Sequence, residues 1–443
     1  MMQKPFSNSN HRLLRGLLVV LTLLSGAIAA QAAEPPPDGS GGLAPDARQE
    51  PPTTWAQVPP LELNAGLTAY WGVHDGTNGA SDAQAYGRGF LPLTLINTYA
   101  DYPNTQKESI YPFVAGRPNN PWAKPRFFER NIRRNIAISA DTGIFIHDIE
   151  FAFEEDARKA WDVEAVRRAS RAGTFEAFKT AYFKEWTTWY TEPLRWAKEQ
   201  RPKSKVGVYG PQAFRRDYWG ISGKSAQQID GTHAIDQVLW QYIDPHVDFY
   251  VASIYVFYNI PASVLYMASN VEENYVRTRA LGDRPVHAYV WLRTHNSNKL
   301  DGNREVDSYL AEAMAIVPYF SGAKATMLFG YDPSHTSVAE PPYKLLPLFA
   351  RSLARVGALS KKIAAGRLVI DAPAHVLWNA RHPLVRRIET VDNECIVMAV
   401  NPWQEEAAAS TTDVTCNGRT FTVEMKGRHT TLARISGQDV VLY

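Results

Sequence analysis

The feature that most constrains this chain is an alternation, sustained over about 300 residues, of short apolar runs with longer amphipathic ones. Gly143 to Phe151 is β-branched and aromatic, the mark of a buried strand. Phe175, Phe178, Tyr182, Trp186 and Trp189 then recur at helical spacing, which predicts a helix packed on a sheet. Arg201-Pro202 ends that helix, and Lys205 to Tyr209 reads as the next strand. Further strands are expected over 247–255, 286–292 and 325–329, with Val306, Leu310, Ala313 and Val317 marking another helix. Repeated units of this kind favour an α/β fold, a TIM-like (β/α) barrel, over an open doubly wound sheet. No G-x-G-x-x-G or G-x-x-x-x-G-K-[ST] turn argues for a nucleotide fold.

The flanks of this pattern have a different texture. His11, Arg12 and Arg15 precede an apolar run from Leu17 to Leu24 and the triplet Ala30-Gln31-Ala32. A basic start, a short apolar core and an A-x-A-like site predict a signal peptide over 1–32 and an exported protein, periplasmic or secreted. The run is too short for a helix to span a bilayer of about 30 Å. Residues 33–60 are rich in Pro, Gly and Ala and read as a linker. The barrel is expected over 61–362. From 363 to 443 short strands around 369–370, 395–400, 421–425 and 440–443 predict a small antiparallel β-domain. Cys395 and Cys416 both fall there, and in an oxidising compartment one disulfide between them is expected.

Composition narrows the partners. With 47 Lys+Arg against 45 Asp+Glu, no charge bias points to nucleic acid or an anionic membrane. No metal-ligand spacing such as H-E-x-x-H and no cofactor motif is present in the sequence, so no metal or cofactor is expected. Twelve Trp and 21 Tyr suit a carbohydrate ligand, because sugar C–H faces stack on rings, although large cores use the same residues.

The chemistry concentrates at Asp148 and Glu150. Side chains alternate along a strand, so the two carboxylates point the same way, about 6.6 Å apart, above Ile144 and Ile146. The C-terminal end of a barrel strand is where barrel enzymes hold catalytic groups. Neighbouring carboxylates also raise one pKa, leaving a group that retains a proton near neutral pH. The alternative is a strand end salt-bridged to loop cations. The apolar strand beneath the pair favours the catalytic reading.

Several stretches, in order between 110 and 335, together resemble the hyaluronidase family of glycoside hydrolases. Asp148-Ile149-Glu150 is similar to that family's D-x-E at the end of its fourth strand, and Trp161-Asp162 through Ser170 to its W-D and basic helix. Arg201-Pro202, Gly207-Val208-Tyr209-Gly210, Asp236-Gln237-Val238-Leu239-Trp240, Ser253-Ile254-Tyr255 and Pro285-Val286-His287-Ala288-Tyr289 follow in the family's order, with Gly116 to Asn120 upstream. The resemblance implies a polysaccharide substrate bearing N-acetylhexosamine and a retaining, substrate-assisted reaction. Glu150 would be acid and base, Asp148 would orient the acetamido group, and Tyr209 would support it. A D-x-E pair on one strand is too close for an inverting acid and base.

Tyr255, Trp240 and Trp291 are further candidates to bind sugar. The family's next active-site tyrosine aligns with Val251, and only a one-residue shift brings in Tyr250. Phe329, with Tyr331 close by, stands where the family has a tryptophan, and the family's barrel disulfides are absent. His147 should face away from the site, Glu154 to Asp156 should begin a solvated helix, and Asp248 should lie at the wrong end of the strands. Trp219 could line a subsite or a core; Arg293 and His295 could meet an acidic sugar or solvent. Two other readings stay open. One is a glycosidase with a second carboxylate as nucleophile on a non-acetamido glycan; the other is a non-catalytic polysaccharide-binding barrel.

Overall fold

The computed structural model describes residues 53–97, 120–122, 128–148, 154–209 and 221–443. Eight strands come first: β1 (Thr68–Asp75), β2 (Leu91–Pro92), β3 (Thr94–Asn97), β4 (Ile144–Asp148), β5 (Lys205–Tyr209), β6 (Tyr250–Ser253), β7 (Val286–Val290) and β8 (Ala323–Asp332). All their ladders are parallel, in the orders β2-β1-β8-β7-β6 and β3-β4-β5. Parallel neighbours need long crossovers, and helices supply them. These are α1 (Ala80–Gly87), α2 (Phe128–Ile138), α3 (Glu154–Trp161), α4 (Glu164–Ser170), α5 (Phe175–Gln200), α6 (Ala226–Ile243), α7 (Ser263–Ala280) and α8 (Ser308–Phe320).

The barrel expected from the sequence is seen as two parallel sheets. No ladder joins β2 to β3 or β5 to β6 among the described residues. At the second junction Asp248 N donates to Val206 O and Val206 N donates to Asp248 Oδ2, both at 2.8 Å. These bonds, with the Lys198–Asp248 ion pair at 2.7 Å, hold Asp248 at the N-terminal end of the strands.

The aromatic stripe does form a helix. In α5 the Thr174 hydroxyl accepts from Ala177 N at the start, and Phe178, Tyr182 and Trp186 are buried. Trp122 and Trp161 pack on these rings from α5's flank. The side chain of Trp189 lies outside the described residues. By contrast α8 is buried on every side, because a second layer covers the face that points away from the parallel strands.

That layer starts after α9 (Leu346–Ala365). β9 (Arg367–Val369), β10 (Leu384–Glu389), β11 (Cys395–Val400), β14 (Thr431–Ser436) and β15 (Asp439–Leu442) form an antiparallel sheet, and β12 (Ala409–Cys416) pairs with β13 (Arg419–Lys426). Alternation along β11 sends Ile396, Met398 and Val400 into the main core. Cys395, Val397 and Ala399 face Val414, Val423 and Met425 of the hairpin. The Cys395–Cys416 disulfide ties sheet to hairpin, as expected. A helix unread in the sequence, α10 (Ala374–Ala380), sits where Glu272 of α7 accepts from both Ala374 N and Arg386. Both charged groups are buried, so each satisfies the other. No helix among the described residues is long and apolar enough to cross a membrane.

Candidate active site

Register decides which side chains share the inner face. Ile146 pairs with Gly207 and Asp148 with Tyr209, so these four point to one side of the β3-β4-β5 sheet. A Cβ at position 207 would collide with the ring of Phe249, which is why only glycine fits. That ring stacks on His287 at 4.5 Å, and His287 meets Tyr70 at 5.9 Å. An aromatic layer thus closes the lower part of the inner face.

A second layer lies above it, at the C-terminal ends of β5 to β8. Tyr209 lies 5.3 Å from Tyr289 and 6.2 Å from Tyr255. Tyr255 in turn meets Trp291 at 5.7 Å and Phe329 at 5.6 Å, with Phe329 5.7 Å from Tyr289. Tyr209 Oη and Ser253 Oγ share a hydrogen bond of 3.3 Å, linking β5 to β6. Asp148 stands half-buried beside this cluster. Burial first, and then the charge of Asp148, push the Tyr289 phenol above its ordinary pKa, which keeps it a neutral donor. Glu150 lies outside the described residues.

The cluster is braced from behind. Trp291 Nε1 donates to Tyr343 Oη at 3.1 Å, and Tyr343 Oη donates to Phe329 O at 3.4 Å. Gly330 has no side chain because the Tyr343 hydroxyl occupies the space a Cβ would need. Arg293 and Asp332 pair at 2.7 Å. Burial opposes the Asp332 charge, but Ser334 and Arg293 outweigh it and hold that carboxyl below its ordinary value. Tyr331 is half-buried at the end of β8. His295 packs on Phe257 at 4.7 Å and on Tyr255 at 5.9 Å.

Tyr209, Tyr255, Trp291 and Phe329 therefore come together beside Asp148, although the first three are nearly inaccessible, at 7%, 5% and 5% exposure. Two candidates are corrected. Tyr250 opens β6 and points to the outer face, where its hydroxyl donates to Asp244 at 2.6 Å and accepts from Arg284 at 3.2 Å. Trp240, on α6, packs at a tilt against Tyr250 at 5.1 Å, beneath the Arg277 guanidinium. Both belong to the packing between helices and the N-terminal strand ends, remote from Asp148. Val251 is the inner-face residue, as the ungapped alignment had it.

His147 is wholly buried on the outer face, its ring nitrogens without hydrogen bonds, and burial lowers its pKa to about 3. It is a core residue. Sequence reasoning missed His74, the inner-face residue near the end of β1, in register with Tyr331. The only signal was the alternation Tyr70, Gly72, His74 in a strand the pattern did not identify. Trp219 and Gly116 to Asn119 lie outside the described residues. Among the described residues no group of three or more His, Cys, Asp or Glu could hold a metal ion.

No protein-family model matches the chain, and no curated protein matches it. Among solved structures it is similar to bee venom hyaluronidase in complex with a hyaluronic acid tetramer, at 17% identity over 67% of this chain and 99% of that one, TM-score 0.43. It is similar to a β-L-arabinopyranosidase from Geobacillus stearothermophilus at 12% identity, covering 86% and 97%, TM-score 0.39. A cold-adapted β-galactosidase from Rahnella sp. R3 matches at 10% identity over 69% and 51%, TM-score 0.40. All three are glycosidases by name. At these scores the likeness transfers neither barrel closure nor activity to this chain.

Proposed function

We propose that this chain is an exported, hyaluronidase-like retaining glycoside hydrolase that cleaves a polysaccharide containing N-acetylhexosamine. The observation that carries this reading is Asp148 on the inner face at the C-terminal end of β4, in register with Tyr209 and electrostatically coupled to Tyr289. Glu150 enters this reading from the sequence alone, as the second carboxylate of the D-x-E pair.

In this reading the acetamido oxygen attacks the anomeric carbon while Glu150 protonates the departing glycosidic oxygen. Asp148 accepts the acetamido N–H and offsets the positive charge that develops. Water, deprotonated by Glu150, then opens the cyclic intermediate with retention. Tyr209 and Tyr289, the latter held neutral by burial, serve as donors at the acetamido group. The β1 to β8 strands close as one (β/α) barrel over 61–362, with 363–443 as a C-terminal β-domain. Support comes from the Val206–Asp248 hydrogen bonds and from the ring contacts that bridge the two sheets. The signal over 1–32 and the linker to residue 60 complete the proposal.

A glycan panel digested with wild type and Glu150→Gln, products identified by mass, tests it. Thiazoline inhibitors, which mimic the cyclised acetamido group, should bind only if the acetamido route is used. A glycosidase with a protein nucleophile would ignore them.

A further inference from the structure

We infer that the cleft between the 53–57 segment and the first two turns of α9 is a second glycan site, which takes a sugar ring bearing a carboxylate or sulfate. That its ligand is a glycan rests on the reading above; that it carries negative charge rests on the cleft itself.

The cleft is a cavity of about 280 Å³, open to solvent and close to the lower end of the size range of small-molecule sites. Its walls are fixed. Trp55 is buried 5.8 Å from Trp71, and its backbone N–H donates to Ala339 O at 3.4 Å, which pins the 53–57 segment to the loop between β8 and α9. On the other wall Lys344 N donates to Glu305 Oε1 at 2.8 Å, and Glu305 forms a backbone bridge with Arg293, just past the end of β7. The cleft therefore lies on the C-terminal side of the strands. Tyr343, which braces the aromatic cluster, immediately precedes Lys344.

The lining sets the ligand class. Lys344 and Arg351 both line the cleft and both are exposed. Arg355, one turn further along α9, is paired with Glu312 at 2.5 Å, whereas Lys344 and Arg351 form no ion pair among the described residues. Two like charges on one concave surface repel each other, and an anion bound between them replaces that repulsion with two attractions. Gln57 adds a neutral donor: its side-chain oxygen accepts from Thr54 N at 2.8 Å, which leaves the NH2 for a ligand. Leu345 and Leu348 line the same cleft and suit the C–H face of a pyranose. Cations, an amide and leucines together fit an acidic sugar better than a free inorganic anion, which would gain nothing from the leucines.

Calorimetric titration tests this separately from turnover. The probes are a hyaluronan oligosaccharide, an N-acetylglucosamine oligosaccharide of equal length, and inorganic phosphate. Each is titrated into wild type, the double variant Lys344→Ala with Arg351→Ala, and the charge-keeping double variant Lys344→Arg with Arg351→Lys. The expected result is a roughly three- to tenfold loss of affinity for the hyaluronan oligosaccharide in the alanine variant. The neutral oligosaccharide should bind as before, the charge-keeping variant should recover most of the loss, and added salt should shrink the advantage of wild type. Unchanged thermal unfolding shows that the fold is intact. Equal affinity of wild type and the alanine variant for the acidic oligosaccharide, or an equal loss for both oligosaccharides, overturns the inference. Phosphate bound as tightly as the acidic oligosaccharide overturns it as well, since the leucines would then contribute nothing. Binding that depends on Lys344 and Arg351 without any hydrolysis keeps this site and rejects the hydrolase reading. Hydrolysis with affinities indifferent to both cations rejects this site alone.

Discussion

Asp148 closes β4 in register with Tyr209, the last residue of β5, so a carboxylate and a phenol stand side by side on the inner face, about 4.8 Å apart at Cα. Tyr209 also shares a hydrogen bond with Ser253, which orients its hydroxyl. Removing that hydroxyl should affect turnover far more than stability. Tyr209→Phe is expected to lower kcat roughly ten- to hundredfold, with a melting temperature close to wild type. A kcat equal to wild type would remove Tyr209 from the site.

The aromatic cluster depends on Tyr343. In Tyr343→Phe the buried Trp291 Nε1 loses its acceptor, which should cost about 1–3 kcal/mol. Gly330→Ala drives a methyl group into the same hydroxyl and should destabilise as well. Urea unfolding of both variants checks this, and unchanged midpoints would mean that Trp291 is not held from behind.

Acid should loosen the fold through His147. Its folded pKa, about 3, lies below the ordinary 6.5, so the unfolded chain takes up the proton first. Above pH 6.5 this residue leaves stability unchanged; as pH falls from 6.5 toward 3 it progressively lowers stability, by about 2–3 kcal/mol near pH 4.5. His287, also lowered to about 3 by burial, acts in the same direction. His147→Leu, which removes two unpaired buried nitrogens, should flatten the acid limb of a stability–pH curve while leaving neutral stability similar or higher. A variant as acid-sensitive as wild type contradicts this.

The disulfide closes a 21-residue separation between β11 and β12. Replacing Cys395 with Ala and Cys416 with Ser should cost about 3 kcal/mol, read as a lower unfolding midpoint.

The sequence was most legible where local pattern and tertiary role coincide. Lys205–Tyr209 and Cys395–Val400 were bounded to the residue, because each is a short apolar run flanked by turns. His147 was assigned outward by alternation alone. Tyr250 shows the limit: a one-residue shift made to capture a tyrosine reverses the face of every side chain on the strand. Trp240 failed for another reason. A buried tryptophan on a helix carries the same sequence signal as one lining a site, and only its partners, Tyr250 and Arg277, tell them apart. His74 escaped because β1 mixes Trp, Gly, His and Asp, so its periodicity is weak. The short helix α10 was invisible for want of a strong apolar stripe, its place being fixed by Glu272.

The most direct test of the central claim is hydrolysis of an N-acetylhexosamine polymer by wild type and Glu150→Gln, with product chains counted by mass. Cleavage by wild type and a loss on the order of a thousandfold in the variant are expected, with folding unchanged. Equal cleavage by the two proteins, or no cleavage of any acetamido-bearing polymer by wild type, would contradict it.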